Sequence, residues 1–228
     1  MNYLEMKQLD KNLSNFHAYH QFITFNSTHK WPPHQVLEQA LHVLQLFNMQ
    51  RNLDHRNDSL ISCFLTDNST QIRGLLSANN TDSLIIAYNS LRNVIQACQG
   101  LTNLSSLETE KKELEKNEAL KDYINRSNTI ELTESKKQQE FSKSYTTQSN
   151  DWWTKEINKL KSDSKIAKDA LERQSCRRLL AFISLMSYSY VNSAIAQQNW
   201  DAASHFLLIY GIYITYGINM TLFVTINF

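Results

Sequence analysis

Glycine and proline are scarce, with 4 Gly and 2 Pro among 228 residues. Sheets joined by tight turns use both residue types heavily, so the composition argues against a mostly-β protein. Leu, Ala, Gln, Glu and Lys are common, and these residues favour helix. We therefore predict an all-α protein, built from antiparallel helical hairpins or as an irregular helical bundle.

Motifs of known chemistry are lacking as well. The three cysteines lie far apart with no CxxC pair, so we interpret them as small buried apolar residues. No phosphate-binding loop, dinucleotide fingerprint or metalloprotease motif occurs. His17 and His20 have an i,i+3 spacing that two metal ligands share on a helix, but no third ligand follows at a recognised spacing. We predict no cofactor, no metal and no enzyme activity; bound metal in the purified protein would argue for an enzyme.

The net charge of +1 gives no electrostatic reason to expect nucleic acid as a partner. Met1–Asp10 has no apolar stretch of the kind found in secretory leaders. The compartment stays open: we expect a soluble protein of the cytoplasm, or of the periplasm if a leader has been removed.

Formal charge nearly disappears at the end of the chain. Residues 179–228 contain one charged side chain, Asp201. Polar residues at Gln197–Asn199 separate two apolar runs, and this pattern predicts a helix, a tight turn and a second helix. Folding of this part must hide a large apolar surface.

The rest of the chain suggests three parts: an N-terminal helical region (1–104), a charged helix with a flexible connection (105–150), and a C-terminal helical hairpin with an apolar tail (151–228). Expected elements are a short aromatic helix near 16–25, a helix from about Pro33 to Arg51, two short helices within 58–76, a helix over 84–98 ended by Gly100, a charged helix to about Ile124, a mobile connection over 125–150, and a long helix starting near Lys165.

The hairpin resembles a tetratricopeptide-type helical repeat over residues 184–215. Gln198-Asn199-Trp200-Asp201-Ala202-Ala203 is similar to the turn and second-helix start of that family, and Leu207 falls at a large apolar position of the family pattern. The sequence departs from the pattern at Val191, Tyr210 and Thr215. The resemblance implies stacked helix pairs that hold a partner segment in a groove; any antiparallel helix pair is the alternative.

The final residues alternate apolar and other side chains from Ile212 to Phe228, which is typical of a strand. We expect helix to about Tyr213 and then an extended tail. A membrane hairpin is a further alternative, because 179–196 and 206–228 are each close to the ~20 residues that span a bilayer. The serines and asparagines in both stretches suit packing against protein better than lipid.

These observations favour a non-enzymatic interaction or scaffold module, with a protein partner or a second copy of the chain. The candidate partner-binding residues are Trp152, Trp153, Trp200 and Tyr210. The competing hypothesis is a membrane-associated protein anchored by 179–228. Solubility of the full chain without detergent separates the two.

Overall fold

The computed structural model describes residues 3–23 and 32–214. This part of the chain is all-helical, as predicted, and contains no strand. The helices are α1 (Tyr3–Asn15), α2 (His34–Gln50), α3 (Asp58–Ser77), α4 (Thr81–Cys98), α5 (Ser105–Leu114), α6 (Glu118–Ser144), α7 (Asn150–Ile166), α8 (Ala170–Ala196) and α9 (Trp200–Ile214). The strand expected within 212–228 concerns mostly residues outside the described ranges, apart from the last turn of α9.

The chain divides into two compact units, a first unit of Met6–Asn125 and a second unit of Arg126–Phe228 with Met1–Glu5. The division falls inside α1, after Glu5, and inside α6, after Asn125, whereas the sequence suggested boundaries at 104 and 150. The three-part organisation stays a prediction about independently folding parts.

In the first unit, α2, α3 and α4 pack around one apolar core, with α5 against α4. Two of its helices, α3 and α4, begin at side-chain caps: Asn57 Oδ1 accepts from Leu60 N, and Asn80 Oδ1 accepts from Ser83 N. A capping oxygen of this kind satisfies one of the free N–H groups of a first helical turn. Gly100 ends α4 with φ +73, a left-handed conformation that glycine adopts without strain.

Several expected elements of the first unit differ in the structure. The two short helices within 58–76 form the single helix α3, because Asn68 and Thr70 turn their side chains back onto the carbonyls of Phe64 and Thr66 instead of ending the helix. The prediction of an aromatic helix near 16–25 is also wrong for residues 16–23, which are not helical. Helix α1 ends at Asn15, and His17 follows with φ 52.

Residues 125–150, expected to be a mobile connection, are helical as far as Ser144. The charged sequence hides a few inward-facing residues at helical spacing, and Glu134, Phe141 and Tyr145 are all buried. The preceding charged helix ends at Leu114 rather than near Ile124. Asn117 then caps α6, its Oδ1 accepting from Ala119 N and Leu120 N.

The second unit has its own core, formed by the end of α6 and by α7, α8 and α9. The long helix expected from Lys165 is wrong in its start, because α7 continues to Ile166 and α8 begins at Ala170. Asp169 caps α8, and its Oδ1 accepts from Leu171 N at 2.8 Å. The predicted break at Gln197–Asn199 is confirmed: Gln198 has φ 55, and Asn199 Oδ1 accepts from Ala202 N.

Candidate interaction surface

In the second unit, the buried residue Tyr145 makes hydrogen bonds to two helices. Its hydroxyl donates to the Ile183 carbonyl at 2.6 Å and lies 3.1 Å from Ser187 Oγ, both on α8. Its backbone carbonyl lies 3.0 Å from His205 Nε2 on α9. Burial raises the pKa of the Tyr145 phenol well above its usual range. The Tyr145 side chain therefore connects the region after α6 to α8, and the Tyr145 backbone carbonyl connects it to α9.

Two of the four predicted contact residues belong to this core. Trp153 has 0% of its surface exposed and packs 4.7 Å from the Tyr145 ring, measured between centroids. Tyr210 is 7% exposed and packs beside Tyr213, and burial raises its pKa. Neither can meet a partner without opening the core, so we do not retain them as contact residues.

The other two residues lie at the surface to different extents. Trp152 is half-buried and packs edge-on against Phe141 and Trp153, with centroid distances of 6.3 and 5.0 Å. Trp200 opens α9 and is 63% exposed. Of the four, only Trp200 presents a large free apolar surface.

Trp200 does not stand alone on α9. Leu207 and Leu208, about two turns later, are 45% and 55% exposed. At 3.6 residues per turn, positions seven and eight residues apart lie on the same side of a helix. Ser204 lies between Trp200 and Leu207 along the helix and is also exposed. We call Trp200, Ser204, Leu207 and Leu208 the α9 stripe.

The α9 stripe is nearly free of charge. Asp201 is the one formally charged residue of α9, and it is exposed beside the stripe, because it lies seven residues before Leu208. The opposite side of the helix is buried in the core through Ala203, Phe206, Ile209, Tyr210 and Tyr213. The stripe is therefore an apolar strip on a helix whose position is fixed by the packing of its other side.

A second exposed apolar pair, Leu185 and Tyr188, lies one turn apart on α8. None of the exposed leucines of α8 or α9 was among the contact residues predicted from the sequence. A signal for those of α9 was present: Phe206–Tyr210 is an unbroken apolar run. Five consecutive positions, 100° apart, surround a helix, so a helix at a protein surface cannot bury them all.

The first unit contains a cleft of about 660 Å³ near the ends of α1, α2 and α4. His17 and His20 line it, but they do not form a ligand pair. His20 Nδ1 lies 2.8 Å from the Ala18 carbonyl, and its Nε2 lies 3.1 Å from Asp10 Oδ1, so both ring nitrogens have protein partners. Among residues 3–23 and 32–214, no group of three or more His, Cys, Asp or Glu side chains is placed to hold a metal ion.

By length and composition, α8 is the one described helix that is able to cross a membrane. Of its most apolar 18 residues, 39% are buried within the protein. A core helix of a water-soluble protein meets the same criteria, so length and composition alone do not decide between the two environments.

Comparison of this chain with protein-family models, with curated proteins and with solved structures found no match.

Proposed function

We propose that this protein is a non-enzymatic interaction or scaffold module that binds a protein partner through the α9 stripe. The observation that carries the proposal is the exposure of Trp200, Leu207 and Leu208 on one side of α9, where Asp201 is the one formal charge. Exposed apolar groups of this kind, clustered around an aromatic residue, are typical of protein-binding surfaces.

The packing beneath the stripe supports this function. Ala203, Phe206 and Ile209 anchor α9 in the core of the second unit. The backbone that carries the stripe is thus ordered before a partner arrives, which lowers the entropic cost of association. The short turn and the packed α8–α9 pair are in keeping with the tetratricopeptide-like arrangement, which remains part of the proposal.

Site-specific photo-crosslinking tests the proposal. A photoreactive residue at position 208 should yield a defined crosslinked protein in an extract of the source cells. Leu41, on α2 of the first unit, is the matched control, because its side chain is 62% exposed but lies outside the stripe. The product should be lost when Trp200→Asp is added. No product at 208, or the same products at 41 and 208, would contradict a specific role for the stripe.

Membrane association is the second candidate, and the length of α8 is the observation that favours it. The inward side of α8 argues for protein surroundings, because Ser184 and Ser187 are buried there and Ser187 lies beside the Tyr145 hydroxyl. Flotation of the full chain with phosphatidylcholine–phosphatidylglycerol vesicles distinguishes the two candidates. If the chain floats with the vesicles, and Leu185→Asp and Leu208→Asp abolish this flotation, the result favours the membrane. If the chain stays in the aqueous fraction, the result favours the protein partner.

A further inference from the structure

We propose that the partner segment of the α9 stripe is a helix, which packs over Ser204 and Gly211 and places a lysine or arginine beside Asp201. This inference rests on the proposed function and adds the form and the charge of the partner. Three features of α9 carry it: a gap between large side chains, a backbone whose hydrogen bonds are made inside the helix, and one exposed carboxylate.

The gap lies along the exposed side of α9. Ser204 and Gly211 are seven residues apart, so they lie on the same side of the helix. At 100° per residue, Trp200 and Leu207 lie to one side of this pair, and Leu208 lies to the other. Apart from the nearby backbone of α9, no heavy atom of the described residues lies within 4 Å of the position that a Gly211 Cβ would take. The larger side chains therefore border a shallow groove.

Such a groove fits a helix better than an extended segment. The backbone of α9 makes its hydrogen bonds within the helix and offers none along this side to pair with a strand. An extended segment buried here would leave part of its own backbone without hydrogen-bond partners, which is costly. A helix satisfies its own backbone groups, and small residues at the contact allow two helix axes to come close together. We therefore expect apolar partner residues at i, i+3 or i+4, and i+7.

Asp201 determines the charge that the partner carries. It is exposed in the first turn of α9, on the same flank of the groove as Leu208. Within the described part of the chain, no basic side chain forms an ion pair with its carboxylate. A basic group opposite Asp201 would be attracted and an acidic one repelled, and a charge at the rim of an interface selects among partners in this way.

A peptide library shows which segments this surface accepts. Random peptides of about 16 residues, roughly four helical turns, are displayed on phage and selected on the immobilised full chain. Peptides that also bind Trp200→Asp are discarded. We expect the retained peptides to have apolar residues at helical spacing, with Lys or Arg enriched over Asp and Glu at a fixed distance from them. Asp201→Asn should weaken their binding severalfold at low salt and much less at high salt, where charges are screened.

Gly211→Ala separates partner packing from folding. The added methyl group meets no described atom, and alanine favours helix more than glycine does, so the melting temperature should not fall. A partner helix packed over Gly211 would be pushed away, and we expect the affinity of a retained peptide to fall about tenfold in fluorescence anisotropy. Gly74→Ala on α3 is the matched control, because a Cβ at Gly74 also has open space around it. It should leave the affinity unchanged.

Several outcomes would overturn this inference and leave the proposed function in place. They are retained peptides with apolar residues at every second position, enrichment of acidic residues, and an affinity that Gly211→Ala does not lower. A crosslinked product at position 208 without any Trp200-dependent peptide would have the same meaning. If the library yields no such peptide and position 208 yields no product, the stripe is not a binding surface and the proposed function fails as well.

Discussion

Leu91 on α4 shows how single residues set the stability of the first unit. It has no exposed surface and lies in the core together with Val94 and Ala97. The sequence predicts a helix over 84–98, and α4 covers Thr81–Cys98. Tyr88 and Ile95 on the same helix are only partly buried.

We expect Leu91→Ala to lower the free energy of unfolding by roughly 2–5 kcal/mol, through lost apolar burial and the cavity left behind. Leu41→Ala, at an exposed position of α2, is the control and should change it by less than about 0.5 kcal/mol. Urea denaturation followed by circular dichroism measures both. A Leu91→Ala midpoint equal to that of the parent would remove α4 from the core.

Cys98 makes a different prediction, on pH. Burial raises the pKa of its thiol from 9.0 to about 11. The folded state thus disfavours the thiolate, whereas the unfolded state allows it. The stability that depends on this group is fully present below pH 9 and is lost as the pH rises towards 11. At about pH 10 the loss is on the order of 1 kcal/mol.

Cys98→Ala should therefore weaken the decline in stability between about pH 7.5 and pH 10, even if the variant is less stable than the parent at both values. Urea unfolding at the two pH values provides the measurement. Cys63→Ala is the control: Cys63 is exposed, and its raised pKa comes mainly from a hydrogen bond to Asp67, which solvent screens. An unchanged decline in Cys98→Ala would show that other groups cause it.

At the scale of helices, the least predictable one is α6. One buried ion pair joins it to α8: the Arg178 guanidinium donates to both carboxylate oxygens of Glu134, at 2.6–3.0 Å. Glu134 is buried, and the Tyr3 ring lies 4.6 Å from the Arg178 guanidinium carbon. Paired charges of this geometry satisfy each other where water is excluded.

Glu134→Ala should cost about 3–5 kcal/mol of stability, since it leaves Arg178 partly buried without its carboxylate. Glu140 on the same helix is a matched control. Its ion pair with Lys137 is half-exposed, and Lys137 also pairs with Glu156, so Glu140→Ala should cost about 0–1 kcal/mol. Thermal unfolding compares the two. Similar losses for both variants would mean that the buried pair does not hold α6 in place.

The contrast between α6 and its neighbours shows what the sequence determines. Local signals predicted α2, α4 and the break at Gln197–Asn199, because proline, glycine and capping residues act over a few positions. In α6 the inward positions carry Glu134 and Gln138 as well as Phe141. Its burial depends on Arg178, 44 residues away, and no local pattern reveals such a partner.

The candidate surface was predictable only in part, for the same reason. Trp200 directly follows the turn and is the first residue of α9, and it is exposed. Trp153 and Tyr210 are chemically similar, but which aromatic residue enters the core depends on how α7 and α9 pack against α8. The sequence identifies a set of aromatic candidates, and tertiary packing selects among them.

On the scale of the whole molecule, each unit has a separate apolar core. Leu91, Val94 and Ile72 belong to that of the first unit; Trp153 and Ile183 belong to that of the second. A domain with its own core can open without its neighbour, and native-state hydrogen exchange detects such partial opening. Both α1 and α6 run through the division, and α6 has several turns in each unit.

We expect Leu91→Ala to raise amide exchange in α2, α3 and α4 under weakly denaturing conditions, with α7, α8 and α9 nearly unaffected. Ile183 is equally buried in the second core, so Ile183→Ala should raise exchange in α7, α8 and α9 and leave α2, α3 and α4 nearly unaffected. Within α6, residues 118–125 should follow the first unit and residues 134–144 the second. Exchange measured by mass spectrometry on overlapping peptides resolves these segments.

Two other outcomes would contradict this picture, each in its own way. If both variants raise exchange equally throughout the chain, the two cores unfold as one cooperative unit. If α5 and all of α6 exchange together, independently of either variant, the three-part division at 104 and 150 is the better description. The exchange of α6 decides between the divisions, since this helix crosses the boundary of the two compact units at Asn125 but lies wholly inside the sequence-based part 105–150.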